Sequence, residues 1–152
     1  AQVTVFATSH DAGESVDYRV DCGDAAVGIL TDTGFVPEPA AAALTGVDLL
    51  VLESNHDVEW LRSGPYPYSL KQRILGQRGH LSNEDAAAFA RRMAECGTRC
   101  IVLAHLSREN NTPQRALAVM ETALSGLDVT VEVAPRGELS ACYGAEVALC
   151  RK

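Results

Sequence analysis

The chain has 152 residues, 47% hydrophobic and 22% charged, which is the size and apolar content of a single domain able to bury a core. Its formal net charge of −7 argues against indiscriminate adhesion to nucleic acid, while leaving room for a locally positive cleft. No run approaches the roughly 18 apolar residues of a membrane span, and the opening Ala1-Gln2-Val3-Thr4-Val5-Phe6 lacks the charged head of a secretory signal, so a soluble cytoplasmic protein is expected. The sequence starts without Met, directly on a strand-like run, as though it began in the middle of a domain.

Residues 3–7, 18–20 and 27–31 are β-rich runs separated by polar turns, which predicts an antiparallel meander. An Ala-rich stretch from Pro37 to Leu44 follows, closed by Gly46, and reads as a helix. Next comes the apolar run 49–52, expected to be a buried strand. After the Gly/Pro-rich loop 63–67, residues 70–77 predict a basic helix stopped at Gly79. Ser82 with Asp85 three residues on has capping-box form and opens a helix over 86–96. Residues 100–104 predict another buried strand, and Thr112-Pro113 starts a helix running to about Leu124. Late strands are expected at 129–133 and 146–149. Alternating strands and helices of these lengths imply an α/β layered domain without repeat or linker.

Cys22, Cys96, Cys100, Cys142 and Cys150 are odd in number and read as reduced core residues. Cys96 and Cys100 have the option of binding metal, but no second pair with zinc spacing follows.

All four histidines fall at element ends: His10, His56 and His105 follow strands, and His80 precedes a capped helix. Asp32 also ends a strand, with Gly34 letting the chain turn away. Imidazoles and a carboxylate collected at strand ends are able to bring nitrogen and oxygen ligands to one metal-binding surface. Taken singly, each has a plainer reading as a hydrogen-bonded loop residue or turn former.

Four motifs, Thr31-Asp32-Thr33-Gly34, Leu52-Glu53-Ser54-Asn55-His56-Asp57, Arg78-Gly79-His80-Leu81-Ser82-Asn83 and Ala104-His105-Leu106-Ser107, occur in this order. Together they closely resemble the metallo-β-lactamase-fold hydrolases of the YycJ/WalJ type, more distantly tRNase Z. The resemblance runs from Val3 to about Leu124. It implies that His10 is a metal ligand, that Asp32 bridges two metals and contributes to catalysis, and that His105 is a ligand of the second metal. It likens His80 to a histidine near the scissile phosphate that donates a proton to the leaving oxygen or stabilises the transition state. Glu53 and His56 sit in a signature of this branch with no role assigned. Two divalent ions, zinc or manganese, are the implied cofactor, and DNA the implied substrate of an exonuclease.

The resemblance also gives these groups a chemistry. Two metals about 3.5–4 Å apart clamp a phosphodiester and lower the pKa of a bridging water, and neutral imidazole ligands make metal binding weaken in acid. Ser82 and Asn83, at a helix N-terminus beside His80, become candidate phosphate binders, with a simple N-cap as the alternative. Lys71, Arg73, Arg78 and Arg108 flank the same region and either guide a nucleic-acid backbone or form a solvated face. Trp60, Tyr66 and Tyr68 either stack on bases or, as is more usual, pack their loop onto the domain.

The family's His-x-His-x-Asp-His motif is absent, and four histidines leave it no other location. The chain therefore resembles the second half of an αββα sandwich, with residues 1–152 forming the C-terminal half and the N-terminal half missing as a partner. His10, Asp32 and His105 are too few to close a two-metal shell, so the chain alone is expected to hydrolyse nothing. Two rival readings remain. A small-molecule phosphodiesterase of the same fold would prefer a chromogenic diester to DNA. A non-catalytic partner or regulatory module would fail to bind two metals tightly.

Overall fold

The computed structural model describes residues 1–140; Cys142, Cys150 and the strand expected at 146–149 lie outside them. Three strands open the chain, β1 (Gln2–Ala7), β2 (Val16–Cys22) and β3 (Ala25–Leu30), paired antiparallel as the meander predicted. Helix α1 (Glu38–Leu44) then returns the chain to β4 (Leu49–Glu53), parallel to β3. Helices α2 (Val58–Ser63), α3 (Tyr68–Leu75) and α4 (Asn83–Glu95) lead to β5 (Cys100–Ala104), and α5 (Pro113–Ala123) to β6 (Thr130–Val133). The result is one six-stranded mixed sheet in sequential order, β1 to β6, with parallel pairing from β3 onward.

The helix signals worked as capping chemistry requires. The Ser82 hydroxyl accepts from the Asp85 amide at 3.0 Å and donates to the Asp85 carboxylate at 2.9 Å, and Thr112 accepts from the Arg115 amide ahead of Pro113. Gly46 adopts φ +77, the left-handed turn that closes the α1 segment. Helix α4 begins three residues earlier than expected because its first turn, Asn83 to Asp85, hangs from that cap. Helix α2 was not anticipated. Asp57 caps it by accepting from the Trp60 amide at 2.7 Å, a signal hidden by the proline-rich loop that follows.

One sheet face meets the helices. Phe6, Leu30, Leu50, Leu52, Ile101 and Leu103 form one core with Leu44 of α1, Phe89 and Met93 of α4 and Met120 of α5. Gly28 makes the close approach to α1 possible, since a Cβ there would run into Leu44. The opposite face is apolar yet bare at β1 to β3, where Val3, Val5, Val16, Tyr18 and Val27 are exposed. Leu49 and Val51 of β4, expected to be buried, are half-exposed on that face, whereas β5 is buried almost throughout. Cys100 is buried as expected; Cys22 and Cys96 are exposed, so the core reading fails for these two, which lie at a strand end and a helix C-cap. Among the described residues, no helix is long and apolar enough to cross a membrane.

Candidate metal centre

The site lies at the ends of β1, β3, β4 and β5 and is organised around Glu53. This carboxylate ends the apolar run of β4 and is fully buried. One oxygen, Oε1, accepts from His80 Nδ1 at 2.8 Å and His105 Nδ1 at 2.7 Å. The other, Oε2, accepts from the Thr33 and Leu81 amides, both at 3.2 Å. Burial by itself would raise the Glu53 pKa, but the bonds from His105 and His80 win and hold it below the ordinary glutamate value. The same bond, against burial, raises the His105 pKa. Sequence reasoning left Glu53 without a role; the available signal was a charged residue closing a wholly apolar strand, which must find partners to be buried there.

Asp32 follows β3 with φ +47, and His105 follows β5 with φ +56, the left-handed region that non-glycine residues seldom adopt. Both are pinned. Thr8 donates to the Asp32 carbonyl at 3.0 Å, and buried Asp17 accepts from the Thr31 amide just before it. Burial, opposed by that amide bond, raises the Asp17 pKa. Asn55 donates to the His105 carbonyl at 2.8 Å. The half-exposed Asp32 carboxylate thereby stands 3.6 Å from Nδ1 of both His80 and His105 and 3.9 Å from His10 Nε2.

The histidine loop reaches this cluster because two glycines permit it. A Cβ on Gly34 would collide with the Gln77 carbonyl, and one on Gly79 with the Ile74 carbonyl. Gly34 lies in a bend after Asp32, as expected, and also serves the close approach to Gln77. His10 Nδ1 bonds the Gly79 carbonyl at 3.1 Å, and its ring centroid lies 4.9 Å from that of His80. The structure therefore brings His10, Asp32, His80 and His105 together. Ligand atoms of Asp32, Glu53, His80 and His105 all lie within 4.8 Å of one another.

The donor set fits a divalent cation. In His10, His80 and His105 alike, Nδ1 faces an oxygen acceptor, which fixes the proton on that nitrogen and leaves Nε2 with a free lone pair. A carboxylate or carbonyl bonded to the far ring nitrogen is the usual support of a metal-binding histidine. Both Glu53 oxygens already accept two hydrogen bonds each, so this carboxylate orients the His80 and His105 rings.

Of the remaining candidates, His56, Ser82, Asn83 and Lys71 fall elsewhere, whereas Arg73 and Arg78 lie over the histidines. His56 is buried against the α4 N-terminus, its carbonyl accepting from the Asn83 amide at 2.9 Å and its Nε2 without a partner. Burial depresses its pKa to about 4. Ser82 and Asn83 do not line the pocket. The Ser82 hydroxyl is taken up by the cap, and the Asn83 amide by Ser54 and Asn111 in a buried network. Asn111, unforeseen from sequence, ties that network to the backbone of Ser54 and Asn55.

Lys71 donates to the Arg62 and Gly64 carbonyls away from the histidines. Arg73 and Arg78 line a pocket of ≈ 360 Å³ over His10, His80 and His105, with Tyr66, Leu70 and Ile74 opposite. Arg73 is paired to Asp11 at 2.6 Å. Arg108 lines a neighbouring pocket that shares only His105 and Leu106 with the first. Trp60 packs under the Arg115 guanidinium, 4.4 Å from ring centroid, and Tyr68 is exposed.

No family model matches the chain. Over 128 residues it is 44% identical to the exodeoxyribonuclease WalJ of Streptococcus pneumoniae, an alignment covering 84% of this chain and 48% of that protein. Over 115 residues it is 43% identical to the exodeoxyribonuclease YycJ of Bacillus anthracis, covering 76% and 44%. The chain thus spans about half the length of the curated relatives it matches. The fold is similar to the metallo-β-lactamase fold protein YhfI of Bacillus subtilis, with TM-score 0.63 and 19% identity over 90% of this chain and 47% of that one. It is also similar to a diphosphatase of the PhnP family, with TM-score 0.56 and 16% identity over 93% of this chain and 45% of that one. On sequence and fold together, the chain is a YycJ-like member of the metallo-β-lactamase-fold proteins.

Proposed function

We propose that this chain supplies one half, the C-terminal one, of a divalent-metal hydrolase that cleaves phosphodiester bonds in DNA as an exonuclease. The observation that carries the reading is the convergence of three imidazoles on the Asp32 carboxylate, with Nδ1 of His80 and of His105 at 3.6 Å and Nε2 of His10 at 3.9 Å, and each Nδ1 held by an oxygen acceptor. His10, Asp32 and His105 are the proposed metal ligands. Imidazole and carboxylate donors suit zinc or manganese. Two such ions, when bound, would polarise the phosphoryl oxygens and generate hydroxide from water at neutral pH.

The chain's own residues do the rest. Asp32, half-exposed and held in its unusual conformation, presents a charged oxygen between the imidazoles. His80 is positioned through Glu53 so that Nε2 is the ring atom left to meet the leaving oxygen. Arg78, in the same pocket and without an ion pair among the described residues, offers charge to the phosphate. Three donors cannot complete two shells, so the reading takes the remaining ligands from residues outside this chain. The bare apolar face of β1 to β3 supports it, since such a surface suits a second packed layer.

The test is a comparison of metal-dependent hydrolysis of a DNA strand and of a small chromogenic diester by the full-length protein and by residues 1–152 alone. Turnover of DNA by the full-length protein, abolished by Asp32→Ala, is expected, with none from the shorter chain. Metal-dependent turnover by the shorter chain, or full activity without Asp32, would refute the proposal.

A further inference from the structure

The chain has an acid surplus, and most of its arginines are spoken for. Arg19 pairs with Asp21, Arg62 with Glu59, Arg73 with Asp11, Arg91 with Glu95, Arg92 with Glu38 and Arg115 with Asp57. Among the described residues, Arg78, Arg99, Arg108 and Arg136 make no ion pair. Arg99 donates to the Asp128 carbonyl on another part of the surface. The other three line the two pockets that meet at His105.

The second pocket, ≈ 740 Å³, extends from His105 between the N-terminal turn of α5 and the segment after β6. Arg108 stands on one wall and Arg136 on the other. The Arg136 head is fixed by donating from Nη2 to the Leu106 carbonyl at 2.6 Å, one residue past His105. That bond uses one of its five donors and leaves the others open. Glu109, Glu132 and Glu138 adjoin these residues in sequence, yet among the described residues no acidic side chain lines the pocket. Of its other polar groups, the Asn111 side chain is engaged in the buried network, and the Thr112 hydroxyl accepts from the Arg115 amide. Two arginines on largely apolar walls, with the Asn111 amide already taken up, are suited to recognise phosphate ahead of sequence.

We propose that this pocket is a backbone groove for the polynucleotide strand: Arg108 and Arg136 neutralise phosphates beyond the bond being cut, while the histidine pocket holds the scissile one. The inference rests on the phosphodiesterase reading and deepens it, because it predicts a preference for polymers over small diesters that the metal centre by itself would not create. It also explains how an acidic protein engages a polyanion. Among the described residues, three of the four arginines without an ion pair lie along one path, with Arg99 elsewhere.

The experiment measures binding of a fluorescein-labelled single-stranded oligonucleotide to the full-length protein by anisotropy, with EDTA present, over a series of salt concentrations. For the Arg108→Ala/Arg136→Ala double variant, the slope of log affinity against log salt should flatten by about 1.4, on the basis of about 0.7 per phosphate contact. Arg108→Lys/Arg136→Lys should recover most of the slope, and Arg99→Ala should leave it unchanged. Metal-supported turnover of bis(p-nitrophenyl) phosphate should be the same in Arg99→Ala as in the unaltered protein. An unaltered slope in the double alanine variant, an equal loss in Arg99→Ala, or no oligonucleotide binding at all overturns the groove. If binding depends on both arginines while no diester is hydrolysed, the groove stands and the hydrolase reading falls.

Discussion

Replacing Glu53 with glutamine keeps the shape of the side chain and removes its charge. Four donors converge on that carboxylate, two imidazole and two amide, and a neutral amide can accept from only one side. The variant should lose about 2–4 kcal/mol of stability in urea denaturation, from buried donors left unmatched, and bind metal about 10–100-fold more weakly in a calorimetric titration. His56 gives a separate signature. Its folded pKa of about 4 lies below the ordinary 6.5, so the unfolded chain takes up the proton first. Stability from this group is fully present above pH 6.5 and lost as pH falls towards 4, by about 3 kcal/mol. His56→Leu should flatten the stability profile in that window; an unchanged profile would show the ring to be reachable by solvent. Asp32, His10 and His105 were legible in sequence because each ends or follows a strand, so the sheet carries them to one edge. Glu53 was not, because its four partners are distributed over residues 33 to 105 and only the fold assembles them.

At the level of elements, the caps were readable because their chemistry is local: a hydroxyl or carboxylate meets an amide three residues on. Asp57 uses the same chemistry, yet α2 escaped notice, since six residues leave little periodicity to detect. The placement of the 76–80 loop was illegible in principle. It depends on Gly34 and Gly79 facing carbonyls donated by another segment or by the turn of α3, and nothing in the linear order marks them apart from turn glycines. Gly79→Ala should cost about 1–3 kcal/mol, the usual range for overpacking, while far-ultraviolet circular dichroism stays native. Because His80 and the carbonyl that holds His10 both sit on this loop, metal affinity should drop much more than in a control such as Gly13→Ala, which has open space around it. Equal metal affinity in the two variants would mean that the loop does not set the ligand geometry.

At the scale of the whole molecule, the sequence conveyed alternation of strand and helix, and from that a layered α/β domain. It did not convey that one sheet face would remain bare, because alternating Val and Tyr in β1 and β2 look the same whether a second layer covers them or not. The bareness has a dynamic consequence. β5 is buried almost throughout, while β1 has one buried side chain, Phe6. Local opening follows buried contact, so amide hydrogen exchange should be fastest in β1 and slow progressively towards β5. His10 is attached to the end of the strand that opens first, and His105 to the end of the one that opens last. Whatever covers the Val3, Val5 and Tyr18 surface will therefore steady His10 far more than His105, and shedding that cover would loosen the histidine cluster from the β1 side.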